Sequence, residues 1–414
     1  MNHFRIKLSL FLNYFVFAIL LNSVGTVILQ VQHNFDVSKG SASVLEAFKD
    51  LSIAITSFLI ASSVRRIGYK NSMLVALGLI AAVCMVIPSV NTFWMTKLLF
   101  AAAGIGFALV KVSVFATIAL VTKDKKEHLS LMSFLESFFM IGILGGYFLF
   151  AHFVDNDNLK STAWFNAYYV PGALAFIAFV LLFTTKVDET VVHDEPRKLS
   201  ATDEFIGMIS LIALPLVLVF IFSAFLYVLV EQSIMSWLPT FNNDVLKLST
   251  SLSIQMASIL SASIALGRFL AGLAMRKVDW IYVLVTCLLM AAVLVLLTVP
   301  LASTIHVTAI TSLNEVPLVA FLFPLIGLFL APVYPAINSV ILSNLPKRQH
   351  APMSGLIVVF SALGGTTGSI ITGHIFDAWG GQAAFYFSLA PVTILIGLLF
   401  LLKRLEQKAI ANAA

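Results

Sequence analysis

Twelve long apolar stretches, separated by short polar loops and one longer charged segment near the middle, constrain this chain more than any motif in it. A run of about 20 apolar residues wound as a helix at about 1.5 Å per residue matches the roughly 30 Å hydrocarbon core of a bilayer. With 60% hydrophobic and only 11% charged residues, the 414-residue chain exposes too much apolar surface to be soluble. In lipid, backbone polar groups are satisfied internally, so only helices or closed barrels span. Period-2 alternation is absent, which selects helices over a barrel. The expected fold class is an all-α membrane protein with 12 transmembrane helices in two six-helix bundles.

The spans are expected at about 6–31, 43–63, 72–90, 94–121, 129–154, 164–183, 206–238, 250–275, 280–299, 317–342, 352–376 and 383–402, here numbered 1 to 12. One set of connections carries Arg65, Arg66 and Lys70; Lys123, Lys125 and Lys126; Arg197 and Lys198; Arg276 and Lys277; Lys347 and Arg348. The opposite loops carry only Lys39, Lys160 and Lys247. The positive-inside rule then places both termini in the cytoplasm, which an even number of spans also requires. The first span is too long for a signal-peptide core and is expected to stay as a helix. The segment 184–205 is polar, contains Pro196 and divides the chain six and six: an N-terminal bundle over 1–183, a cytoplasmic linker, and a C-terminal bundle over 206–414. The net charge of +5 sits in loops and reports topology, not nucleic-acid binding. Cys84 and Cys287 lie in apolar segments and read as small buried hydrophobes.

Two local patterns carry a family resemblance. Residues 60–72, IASSVRRIGYKNS, sit between spans 2 and 3. They resemble the loop motif of the major facilitator superfamily, with Ala61, Arg66, Gly68 and Lys70 matching or nearly matching and Arg65 standing where the family usually has aspartate. A fainter echo, GLAMRKVD, occupies 272–279. Residues 225–239, FLYVLVEQSIMSWLP, resemble helix 7 of fucose permease-like sugar transporters through Tyr227, Val228, Glu231, Ile234, Ser236 and Trp237, and 328–341 and 355–380 resemble helices 10 and 11 of that group. The resemblance implies the major facilitator fold and uptake of sugars or amino sugars with protons or sodium. In the proton-coupled fucose permease the coupling carboxylates lie in helices 1 and 4. Here those helices carry Asn13, Asn22 and Lys111.

Charges inside spans are costly, about 2.5–3.5 kcal/mol at mid-bilayer on insertion scales, and mark functional positions. Lys111 in span 4 and Glu136 in span 5 lie at depths of about 15 and 10 Å from the cytoplasmic side and are expected either to lock two adjacent helices or to respond to substrate or proton. Lys111 also suits an anionic substrate. Glu46, Lys49 and Asp50 cluster at the outer end of span 2, with Glu46 and Asp50 four apart on one face. They are expected to couple an ion or to gate, with Arg268 or Asp377 as candidate partners. Glu231, Gln232 and Tyr227 fall within two turns and can bracket sugar hydroxyls. Asn22 and Asn338 are polar groups in apolar helices, and Trp237 is a candidate stacking surface. Glycine clusters at 142–146 and 364–368 suit close helix approach.

The expected function is a secondary active transporter of a small polar solute, a sugar or amino sugar, working by alternating access across the cytoplasmic membrane. Exporters of drugs or metabolites, and an organic-anion carrier using Lys111, are the transport alternatives. A membrane receptor or enzyme is the alternative class. No ATP-binding motif occurs, and the histidines are scattered, so neither catalysis nor a cofactor or metal is expected. The expected partners are the solute, a proton or sodium ion and membrane lipid, with the chain acting as a monomer and binding no nucleic acid.

Overall fold

The computed structural model describes residues 2–60, 64–122, 125–187, 201–303, 310–346 and 349–413. The chain is an all-α membrane protein. Among the described residues the only extended pairing is an isolated bridge between Leu248 and Ile310. Ten described helices are long and apolar enough to cross a bilayer. The other two expected spans are present as Val44–Ile60 and Leu389–Ala413. They fall short of that simple standard because charges interrupt them, Glu46, Lys49 and Asp50 in span 2 and Lys403, Arg404 and Glu406 in span 12, and because the described helix of span 2 is only 17 residues long.

Several spans are broken where the backbone requires it. Span 1 divides at Ser23 into Asn2–Asn22 and Val24–Phe35. The expected helix over 206–238 is instead two, Ala201–Leu211 and Pro215–Met235. Pro215 accounts for this: it disfavours helical geometry at Leu214, which is extended at ψ 122°, and then suits the first turn of the next helix. Span 10 runs as Val319–Leu322, Phe323–Leu325, Ile326–Leu330 and Val333–Ser343, with Pro324 and Pro332 removing backbone donors between the pieces. Gly380 ends span 11 with φ at 82°, a conformation only glycine adopts freely.

The chain packs as two units, Met1–Asp36 with Phe48–Lys198, and Val37–Ala47 with Leu199–Ala414. In the first, Tyr14 joins Phe107, Phe115 and Phe139 in an aromatic core at centroid distances of 6.3, 6.0 and 5.5 Å. At one end of this unit Asn34 donates to the carbonyls of Leu159 and Ser161 at 2.7 and 2.9 Å, accepts from the Trp164 indole, and Asp36 pairs with Lys160. At the other end Lys70 donates to the Phe183 carbonyl at 3.0 Å, a cation on the exposed carbonyls that close span 6. In the second unit spans 7 and 11, and spans 8 and 10, approach backbone to backbone at glycines. Asp279 and Lys403 tie spans 9 and 12 together at 3.1 Å. Slight burial opposes the Asp279 charge, but Lys403 and the Ile281 N–H outweigh it and hold the carboxyl below its usual range.

Candidate functional site

The second unit assembles a polar cluster on spans 7, 8, 10 and 11. Tyr227 and Glu231 are one helical turn apart in Pro215–Met235 and therefore share a face. The Tyr227 hydroxyl donates to Glu231 Oε1 at 2.7 Å. The Tyr227 ring lies against Tyr334 of span 10, centroids 5.7 Å apart at 20°. The Tyr334 hydroxyl is 2.9 Å from Ser361 Oγ of span 11, and Asn338 lies beside it one turn on. The Arg268 guanidinium, from Thr250–Ala274, is in electrostatic reach of both tyrosine hydroxyls. Asn338 Oδ1 is buried without a hydrogen-bond partner, whereas Glu231, Gln232 and Tyr334 remain partly accessible. The cluster thus offers a carboxylate, a guanidinium, hydroxyls, an unsatisfied amide oxygen and a stacked aromatic pair.

Trp237, expected as a stacking surface, is fully buried. Its indole N–H donates to Ser369 O and Oγ at 3.1 and 3.2 Å, and its ring stacks on Phe376 at 5.4 Å. It has no exposed face in this conformation. Pro239 sits in the first turn of the short helix Leu238–Asp244, so span 7 ends at Met235, one turn beyond Glu231.

The segment Val37–Ala47, between spans 1 and 2, packs within this second unit. Asp377 accepts from the backbone N–H groups of Lys39 and Gly40 at 3.0 and 2.7 Å, and the Lys39 ammonium pairs with Asp244 at 2.9 Å. Glu46, fully buried, accepts from Ser236 Oγ at 2.8 Å. Replacing Asp377 with alanine removes two charge-assisted bonds, at the low end of the roughly 1.5–3 kcal/mol typical of such bonds because the site is exposed. Asp377→Ala is therefore expected to speed amide exchange at Lys39 and Gly40 about tenfold without changing exchange in Pro215–Met235. Equal rates would mean that the carboxylate does not hold the segment.

In the first unit Lys49 and Asp50 are nearly buried, with Nζ 3.5 Å from Oδ1. Glu46 and Asp50 share a helix face; Ser236 donates to the Glu46 carboxylate, and Lys49 lies beside that of Asp50. Lys111 lies over the Phe107 ring at 5.7 Å, is solvent-accessible, and is in electrostatic reach of Glu136. Among the described residues it makes no ion pair within 4 Å. The Asn22 amide donates to the Ala18 carbonyl of its own helix at 3.0 Å. In the loop motif Gly68 has φ at 88°, the conformation the tight turn needs. Lys70 caps span 6 as described, and the side chains of Arg65 and Arg66 lie outside the described residues.

Sequence reasoning offers Arg268 and Asp377 only as possible partners of the span 2 charges, and it does not reach Ser361. Arg268 carries a usable signal: it is the one arginine inside the apolar run 250–274. Ser361 carries none, because a single serine in a helix is unremarkable until its neighbours are known.

A family model described as Major Facilitator Superfamily matches residues 10–313 and 301–413. The chain is similar to solved transporters at low identity. One is a bacterial homolog of the human lysosomal transporter Spinster, inward-facing and unoccupied, at 15% identity and TM-score 0.75, covering 99% of this chain and 97% of that one. A second is the nucleoside transporter NupG, solved as a mutant, at 13% identity and TM-score 0.74, covering 96% and 99%. A third is the E. coli fucose:proton symporter FucP, also solved as a variant, at 16% identity and TM-score 0.61, covering 98% and 99%. No curated protein matches the chain.

Proposed function

This chain belongs to the Major Facilitator Superfamily and is a transporter, not an enzyme, and on that premise we propose that it carries a sugar or amino sugar across the cytoplasmic membrane by alternating access. The observation that carries the reading is the Tyr227–Glu231–Tyr334–Asn338 cluster. Sugar hydroxyls donate and accept at once, so they need carboxylate and amide oxygens beside hydroxyl donors, arranged around an aromatic face. The cluster offers that set on spans 7 and 10, where proline breaks leave the helices free to bend. The likeness to the fucose:proton symporter supports the sugar reading. Total similarity does not favour it, since the nucleoside transporter superposes more closely. Gln232 completes the proposed substrate contacts, and Trp237 supports the site from the core.

In the same proposal both termini are cytoplasmic, the protein is a monomer in membrane lipid, and a proton or sodium ion drives transport. The coupling or gating groups are Glu46, Lys49, Asp50 and Glu136, with Arg65, Arg66, Gly68 and Lys70 forming the cytoplasmic loop. The test is uptake of radiolabelled hexoses into energised vesicles, with and without a proton ionophore and with and without sodium. Accumulation is expected to collapse with the ionophore if protons drive it, or on sodium removal if sodium does. Accumulation indifferent to both treatments would remove ion coupling from the proposal, and no uptake of any sugar would remove the substrate class. A second reading, an organic-anion carrier, is favoured by Lys111, which is accessible and makes no ion pair among the described residues.

A further inference from the structure

We propose that Ser361 is a positioning residue that holds the Tyr334 ring in place, and that this ring selects cyclic sugars over open-chain polyols. This narrows the substrate class of the Tyr227–Glu231–Tyr334–Asn338 cluster and rests on the reading of that cluster as the sugar site.

A serine inside a helix commonly turns back to the carbonyl one turn earlier. Ser223 does so to Val219 at 2.8 Å, Ser233 to Leu229 at 2.7 Å and Ser354 to His350 at 2.9 Å. Ser361 Oγ reaches a different span, lying 2.9 Å from the Tyr334 hydroxyl. The two ends of that bond stand on unequal supports. Tyr334 is in the first turn of Val333–Ser343, between Pro332 and Pro335, where span 10 is interrupted after Leu330 and two backbone donors are missing. Ser361 lies inside the long helix His350–Tyr386, which stays helical up to Gly380. Three residues further on, at Gly364, that helix closes on the Phe225 carbonyl of span 7. The hydroxyl contact therefore ties the interrupted span 10 to the pair of spans that includes Tyr227.

What this contact fixes is a ring more than a hydroxyl. Tyr227 is fully buried and Tyr334 is partly accessible, so the open part of the stacked pair belongs to Tyr334. The single hydroxyl donor of Tyr227 goes to Glu231 at 2.7 Å, and the Tyr334 hydroxyl is engaged with Ser361. Both phenols thus meet protein. The oxygens left to read a solute are those of Glu231, Gln232 and Asn338, and Asn338 Oδ1 has no hydrogen-bond partner. A sugar ring carries C–H groups on its faces and hydroxyls around its edge, so a fixed aromatic ring beside such oxygens suits both parts. An open-chain polyol has the same hydroxyls without a fixed face, and its chain must be ordered on binding.

The test is thermal stabilisation of the purified full chain in detergent by matched probes: galactose and galactitol, and glucose and glucitol. A specific ligand stabilises the folded chain by mass action, so the concentration giving a set rise in melting temperature compares the probes. A hexose is expected to act at concentrations at least tenfold lower than its polyol. Ser361→Ala and Tyr334→Phe delete the bond from either side. Each is expected to raise the hexose concentration about fivefold, the effect of losing one neutral hydrogen bond, and to leave the polyol concentration unchanged. The double variant is expected to lose no more than either single one, because both remove the same bond. Ser361→Thr, which keeps the hydroxyl, is expected to retain the preference. Tyr334→Phe serves if Ser361→Ala does not fold. Equal response to hexose and polyol in the unmutated protein would overturn the ring inference and leave the sugar reading standing. Losses that add in the double variant, or that fall equally on hexose and polyol, would also overturn it, as would an undiminished hexose response in the single variants. No response to any of the four probes would overturn both.

Discussion

Gly364→Ala combined with Gly368→Ala is expected to destabilise the folded transporter severely. A β-carbon at Gly364 would stand 2.3 Å from the Phe225 carbonyl oxygen, and one at Gly368 the same distance from the Leu229 carbonyl oxygen. Both obstacles are backbone of span 7, which no rotamer change can move aside. Overpacking a fitted interface costs about 1–3 kcal/mol per site, so the pair is expected to consume a large share of the roughly 5–15 kcal/mol typical of a folded domain. The displaced helix is also the one that carries Tyr227 and Glu231, on the side away from these glycines. Gly272→Ala and Gly397→Ala are the controls, because a β-carbon at either position meets nothing within 4 Å. Alanine is the better helix former by about 1 kcal/mol, so the controls are expected to be neutral or slightly stabilising. The readout is the monodisperse fraction in detergent size-exclusion chromatography. A double variant as monodisperse as the controls would mean that spans 7 and 11 do not depend on this close approach.

Glu231→Gln is expected to reduce substrate uptake at least tenfold, equivalent to about 1.4 kcal/mol, with expression and melting temperature unchanged. The glutamine carbonyl can still accept from the Tyr227 hydroxyl, so the local bond at 2.7 Å survives while the charge is lost. Tyr227→Phe makes the opposite change, keeping the carboxylate and removing its donor. Its effect is expected to be only a few-fold, because the aromatic stack on Tyr334 remains. A larger loss in Tyr227→Phe than in Glu231→Gln would assign the role to hydrogen-bond geometry. Near-normal uptake by Glu231→Gln would remove the residue from the site.

The glycine clusters show how far pattern reading reaches. Both GILGG at 142–146 and GGTTG at 364–368 announce close helix contact. In the second cluster both outer glycines meet a neighbouring backbone. In the first, Gly142 is tight against Ala18 and Phe15, Gly146 is in ordinary contact with Ile19, and Gly145 faces open space. Small residues permit approach, but which of them is used depends on where the partner helix crosses. The same limit applies to Glu46 and Asp50. Their spacing puts them on one face, yet Glu46 packs beside Ser236, 190 residues away, and Asp50 meets its neighbour Lys49.

Composition, span length and local motifs were enough to establish the solvent, the helical class and the family. Each of these acts over a few residues, and a hydrophobic run has no stable place outside the bilayer. Helical periodicity also placed Tyr227 and Glu231 on one face, because it aligns residues four apart without help from the rest of the chain. Packing between helices was needed to bring Tyr334, Ser361, Asn338 and Arg268 to them, and to turn Trp237 into the core. Those neighbours come from other spans, and in a chain so uniformly apolar many helix rotations bury similar area. Which rotation is adopted depends on backbone contacts such as those of Gly364 and Gly368, and on the pairing of a few polar groups, neither of which is visible until the helices are packed.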